Sequence, residues 1–402
     1  MRNREGSERP GRGVWLSEVV TRDFVLLFVS GFCFMASLYM VIPVLPLYML
    51  EVGDMGRTQV GVLIGSITVA SMLVRPYIGR KSDAIGRKPL MIFGSLVFVA
   101  GPLALIVARA TIPLLLVLLF EGVGVACFHT AALTFVGDTS PPARRGQSMA
   151  WYQTAFNAGI MLAPLLGVFL LDAFDYTAVF VAASAAAAAS CVFAAFVSES
   201  RAEEVEGPVD VPRVTAPHRG LIALVCLAAF GGTVALGSAE TFIPVFARSH
   251  HIASYALFFT VSEGTLILFR LLAGSVPDRV GRRTAITASV ATLGVSLVML
   301  AFTTNTWMLC LTAAVYGAGF AYHTPAITAL LADNFPSNEL GGAFGTFLAA
   351  FEGGIAVGAM ITGPLSSALG FKSTFLGVGV FGLLCAGVVG VSFGRATGGG
   401  PD

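Results

Sequence analysis

Two stretches decide how this chain reads: Gly79-Arg80-Lys81-Ser82-Asp83-Ala84-Ile85-Gly86-Arg87-Lys88 and Gly274-Ser275-Val276-Pro277-Asp278-Arg279-Val280-Gly281-Arg282-Arg283. Both follow G-x-x-x-D-x-x-G-R-K/R, and their first glycines are separated by 274 − 79 = 195 positions. Arg75 and Arg270 keep the same offset, as do Gly122 and Gly317, Gly124 and Gly319, Asp138 and Asp333, Gly146 and Gly341, and Asn157 and Glu352. One shared decapeptide is within reach of chance. Seven correspondences at one spacing are a duplication.

What surrounds the two loops is apolar. Of 402 residues, 56% are hydrophobic and 12% charged, against roughly 25% charged in soluble proteins, and mean hydropathy is +0.83. Such a chain lacks the charge to cover its surface against water, so that surface faces lipid. A bilayer core takes about 20 apolar residues per helix. Runs of that kind fall at 24–50, 58–79, 89–110, 112–137, 146–171, 175–197, 220–247, 253–276, 284–304, 306–332, 341–369 and 372–393. Prolines 43, 46, 164, 244, 325 and 364 lie inside them and are compatible with membrane helix. The expectation is an all-α integral membrane protein of twelve spans: an N-terminal tail (1–23), a six-helix bundle (24–197), a polar linker (198–219), a second bundle (220–393) and a C-terminal tail (394–402).

Lys and Arg in the loops orient the bundle. With the N-terminus inside, eighteen of the 24 basic residues fall in inside loops and tails and four outside (Arg57, Arg109, Arg248 and Lys372), leaving Arg75 and Arg270 within helices. Both termini are then cytoplasmic. The Arg-rich start precedes an apolar run much longer than the roughly 7–15 residues of a secretory signal core, so it reads as a retained tail. The net charge of +1 and the lack of a basic, aromatic-interleaved patch give no nucleic-acid surface. The six cysteines form no CxxC pair, so neither a disulfide framework nor a metal site is expected; His250-His251 read as a solvated loop. With no GxxxxGK[ST] loop and no nucleophile–base constellation, neither an ATP-driven machine nor an enzyme is expected, and no cofactor.

The repeated loop, placed after the second and eighth spans of a parallel six-plus-six repeat, resembles the signature of the major facilitator superfamily. The resemblance covers about Phe24 to Gly394 and implies two pseudosymmetric bundles that rock about a midplane site. Physically, Gly79 and Gly86 permit a tight turn, and Asp83 carries the charge that a helix N-terminus favours. By the resemblance, Asp83 caps the eleventh helix near Gly341 and Arg87 reaches Asp138, with Lys88 beside it. The second copy implies the counterpart set Gly274, Asp278, Gly281, Arg282 and Asp333, with Asp278 near Gly146. Alternatively, these charges serve as topology determinants.

Ionisable groups at membrane depth cost roughly 2.5–3.5 kcal/mol each on insertion scales, so they face a cavity or a partner. Here they are Glu121, Glu240, Glu263, Glu352, His129, His323, Arg75 and Arg270. Glu240, mid-span and four residues before Pro244, is the first choice for proton coupling. Glu352 is second; its repeat mate is Asn157, and a hydrogen-bonded structural role is an equal alternative. Glu121, His129 and His323 complete the titrating candidates, with a core histidine as the commoner reading of the last two. Arg75 and Arg270 read as bracing charges at the cytoplasmic end, not as ligands. Glu263 and Arg270 are seven residues apart, about 10 Å along a helix, so each needs a partner elsewhere. Tyr39, Trp151, Tyr152, Gln153, Asn157, Tyr316 and Tyr322 are suited to lining a site for a partly apolar ligand.

The run Gly159 to Gly167 around Pro164 is similar to the fifth helix of the efflux-permease branch, with Ala163 at a usual glycine. Leu118 departs from that branch's fourth-helix arginine and Glu121 from its glutamine. The resemblance implies export of a small amphipathic drug or metabolite by proton antiport; a monomer is expected, and three lysines against twenty-one arginines point to a bacterial inner membrane. The alternative is a proton symporter importing a sugar, amino acid or organic acid.

Overall fold

The structure is a computed structural model; it describes residues 20–141, 144–199, 219–252, 254–273 and 279–397. Gly274 and Asp278 lie outside the described residues, as do the side chain of Asp83 and most of both tails and the linker.

Among the described residues the chain is helical: α1 (Arg22–Val41), α2 (Leu45–Glu51), α3 (Arg57–Ile85), α4 (Arg87–Val107), α5 (Thr111–Thr139), α6 (Arg145–Ala173), α7 (Tyr176–Phe196), α8 (Arg219–Ser249), α9 (Ala256–Ala273), α10 (Arg282–Ala301), α11 (Thr306–Asn334) and α12 (Ser337–Thr397). Two departures from the sequence reading have local causes. Pro43 and Pro46 interrupt the first apolar run, because neither offers an N–H to the preceding turn; α1 stops at Val41 and α2 begins at Leu45. At the other end, α12 bends at Gly370 (φ 78°, ψ 163°), and that bend separates the runs 341–369 and 372–393. Nine helical segments among the described residues are long and apolar enough to cross a bilayer, one of them the 55-residue Glu339–Phe393 stretch. Of the two remaining long helices, α11 carries His323, Pro325 and several small or polar residues along its length.

The duplication is visible in the contacts. Gly86 (φ 93°) and Gly281 (φ 88°) both hold a left-handed conformation that suits glycine, and 281 − 86 = 195. Arg87 Nε lies 3.1 Å from Asp138 Oδ2. Arg282 Nη1 lies 2.5 Å from Asp333 Oδ2, the same pair one repeat later. A Cβ on Gly122 would strike the Ile67 carbonyl, and one on Gly317 the Ser262 carbonyl. Ile67 and Ser262 are again 195 apart, so each half closes the same pair of helices backbone to backbone.

In the first half α1 packs on α6 and α7, and α5 on α3 and α4; in the second, α12 packs on α8 and α10, and α11 on α9 and α10. The halves meet through α3 with α12 and α6 with α9. Their apolar cores show how they meet. One continuous core, including Val44, Tyr48, Val60, Ile243, Phe246 and Phe371, runs through both halves at the end carrying Arg57 and Arg248. Toward the Gly86/Gly281 end it divides into two cores, one confined to each half. The glycines agree. Cβ atoms on Gly61, Gly65 and Gly363 would collide across the halves with Ala359, Met360 and Arg57. The bundle is sealed at one end and parted at the other.

Candidate functional site

The sealed end is tied by polar links as well. Arg57 donates to the Ser366 carbonyl at 3.0 Å and lies 4.4 Å over the Phe371 ring. Arg248 Nη1 is 2.6 Å from Glu51 Oε1, and Tyr176 donates to the other oxygen of Glu51 at 2.5 Å. Thr260 donates to the Met161 carbonyl at 2.8 Å, joining α9 to α6.

Below that seal, two polar clusters sit between the halves. In the first, Tyr39 of α1 donates to Glu240 Oε2 of α8 at 3.3 Å. Glu263 of α9 lies within electrostatic reach of Glu240, and Tyr316 of α11 within reach of both carboxylates. Glu263 Oε2 and the Tyr316 hydroxyl are buried without a hydrogen-bond partner. Two buried carboxylates within electrostatic reach repel when both are ionised, and a proton on either removes that repulsion. Phe258 and Phe320 flank Tyr316, with ring centroids 5.3 and 5.9 Å from it, so the acidic pair has an aromatic wall.

In the second cluster, Arg75 of α3 reaches across to Glu352 of α12 at 2.5 Å. Its guanidinium also contacts His129 Nδ1 at 3.3 Å and donates to Ser71 Oγ at 3.2 Å. This corrects the sequence reading of Arg75 as a brace at the helix end: its long side chain carries the charge into the interface. Arg270, its repeat mate, stays within the second half and donates to the Ala321 carbonyl at 3.4 Å. The 195-residue symmetry therefore holds for the backbone and the loop pairs and fails at this site.

The other sequence candidates are dispersed. Asn157 is buried on α6, and Gln153, one turn away, has a buried Oε1 without a partner. His323 is fully buried in the second half, with Nδ1 3.1 Å from Ser289 Oγ and its ring beside Phe320 and Phe351. Glu121 is buried inside the first half, against Gly101. Neither belongs to the two interface clusters. Glu263 as the companion of Glu240, and Arg75 as the partner of Glu352, were missed as site members. Their shared signal was available: each is a charge at membrane depth.

The model of the Major Facilitator Superfamily matches residues 27–262 and 225–399, nearly the whole chain and twice over. The chain belongs to the Major Facilitator Superfamily. Superfamily relatives include an uncharacterized MFS-type transporter of Methanocaldococcus jannaschii, 20% identical over 90% of this chain and 96% of its own length. The quinolone resistance protein NorA of Staphylococcus aureus is 22% identical over 38% of this chain; the match spans 39% of that relative's length. Among solved structures, the nucleoside transporter NupG superposes with a TM-score of 0.77 at 14% identity, covering 91% of this chain and 98% of that one. A POT peptide transporter reaches 0.79 at 13% identity, covering 92% and 94%. Likenesses at that identity establish the fold that this chain shares with them. As a superfamily member it is a multi-pass membrane protein of a transporter family.

Proposed function

We propose that this chain is a secondary active transporter that exports a small amphipathic molecule, a drug or metabolite, by exchange for protons. The observation that carries the reading is the Tyr39–Glu240 bond beside Glu263, an acidic pair between the halves with an aromatic wall. A carboxylate pair that binds either a proton or a cationic, partly apolar ligand makes the two compete, and competition for one site is the simplest basis of antiport. The run around Pro164 and the partial likeness to a quinolone resistance protein support export, and with it a place among multidrug efflux proteins. The excess of Lys and Arg in one set of loops supports a cytoplasmic location for the Gly86/Gly281 end and for both termini, in a bacterial inner membrane. In that orientation the parted end faces the cytoplasm, as a substrate-loading exporter requires, and rocking of the halves exposes the site on the other side. The proton gradient supplies the energy without a cofactor, and a single chain contains the whole site.

Everted vesicles with an acidified lumen, followed with a pH-sensitive dye, test this. Addition of an amphipathic cation should release lumenal protons, and Glu240→Gln vesicles should not respond. Silence toward every such compound, with proton-driven uptake of a nutrient by intact cells, would replace this reading with import.

A further inference from the structure

We propose that Glu121, Ser37 and one water molecule form a proton-binding site inside the first half, separate from the Glu240 cluster and independent of the direction of transport. Glu121 on α5 is 3% exposed, and its carboxyl lies against Gly101 of α4, where the missing Cβ leaves it room. No described residue hydrogen-bonds to it, and no charged group acts on it; burial alone defines its electrostatic surroundings. Beside it is a cavity of about 10 Å³ bounded by Ser37, Ile42, Ile67, Phe98 and Pro102, room for one water. Ser37 is fully buried, and its Oγ has no partner. Ile42 sits at the break between α1 and α2, where Pro46 has no N–H to offer its carbonyl.

These groups share one need. An unpaired carboxylate in apolar surroundings takes up a proton and becomes a hydrogen-bond donor. A buried water typically makes two to four polar contacts, and Glu121 and the unpartnered Ser37 Oγ at the cavity wall supply two. The titratable groups on the elements packed around Glu121 are all otherwise placed. Tyr39 on α1 donates to Glu240, Tyr48 on α2 to the Leu105 carbonyl at 2.6 Å, and Arg75 on α3 binds Glu352 and His129. Tyr152 on α6 faces Gly31, Cys127 is buried in the first-half core, and Arg109 follows α4 at the sealed end. None neutralises Glu121, so the proton does. The site also touches the segment that serves the interface: Ser37 stands two residues from Tyr39, just before the helix break.

Infrared difference spectroscopy of the full-length protein in lipid nanodiscs tests this, in the carbonyl-stretch region of protonated carboxyls and with H/D exchange. The expected result at neutral pH is a buried-acid band that Glu121→Gln removes, Glu240→Gln leaves in place and Ser37→Ala shifts. Should Glu121→Gln fail to fold, Glu121→Asp keeps a carboxyl and must move the same band. A spectrum unchanged by substitution at position 121 would overturn the proposal. So would loss of the band on adding sodium chloride, which would assign the cavity to a metal cation.

Discussion

Arg75 Nη2 of the first half and Glu352 Oε1 of the second lie 2.5 Å apart, with only 17% and 9% of their side chains exposed. A buried pair of this kind gains little net stability over an apolar packing, because desolvation offsets the attraction; removing one partner, however, costs roughly 3–5 kcal/mol. Some of that cost falls on the arrangement of the halves, since the pair exists only where α3 and α12 approach. Glu352→Gln should therefore shift the bundle away from the state sealed at the Arg57/Arg248 end, by about 1–3 kcal/mol if it behaves as an ordinary coupling between sites. Spin labels on α3 and α12 near Arg57 and Ser366 would report a longer distance. An unchanged distance distribution would deny the pair any part in holding the seal.

The seal itself rests on missing side chains. A Cβ on Gly61 would run into the Ala359 carbonyl, and one on Gly65 into Met360 and the Ala356 carbonyl. Backbone cannot step aside as a flexible side chain can, and overpacking of this kind costs about 1–3 kcal/mol or more. Gly61→Val should hold the far end open and raise thiol labelling of a cysteine placed near Ser366, with transport largely lost. Gly345→Ala, whose new methyl meets nothing, is the control and should transport within about twofold of the parent, given that surface changes lie near ±0.5 kcal/mol.

Much of the fold was legible because duplication leaves its mark in spacing. Gly86 and Gly281 turn the chain in the same way, and Arg87–Asp138 recurs as Arg282–Asp333; all six are residues the offset singles out. The break at Pro43 was readable in principle. Two prolines three residues apart deprive neighbouring carbonyls of partners, and tolerance of proline in membrane helices hid this. The site was less legible for a different reason. Whether Glu240 meets Tyr39 or Arg75 meets Glu352 depends on how α1 faces α8 and α3 faces α12, a rotational relation between halves that no spacing within one half records. Repeat symmetry even misleads here, since it assigns Arg75 and Arg270 one role and they hold different ones.

Magnitude separates the polar links of the sealed end from those of the interface. Arg248 and Glu51 are 52% and 43% exposed, and exposed ion pairs contribute about 0.2–1 kcal/mol. Arg248→Ala should thus lower transport by no more than about fivefold, and raising ionic strength should reproduce much of that loss in the parent protein. A collapse of transport in Arg248→Ala, unaffected by salt, would show that the Glu51–Arg248–Tyr176 group carries more than an exposed pair can.

The acidic pair makes the last prediction, and its sign follows from competition. If substrate and proton exclude one another at Glu240 and Glu263, binding an organic cation releases a proton. Apparent affinity then weakens as pH falls, by up to tenfold per pH unit for one proton displaced. Glu240→Gln leaves a neutral side chain that still accepts from Tyr39, so it should fold, release fewer protons on binding than the parent and fail to couple. Glu263→Gln removes the repulsion but leaves one titrating carboxylate, so its affinity should keep a pH dependence. Calorimetric titration of each variant with one amphipathic cation, in buffers of different ionisation enthalpy, counts the protons released. A parent protein that releases none on binding would remove competition at this site as the basis of exchange.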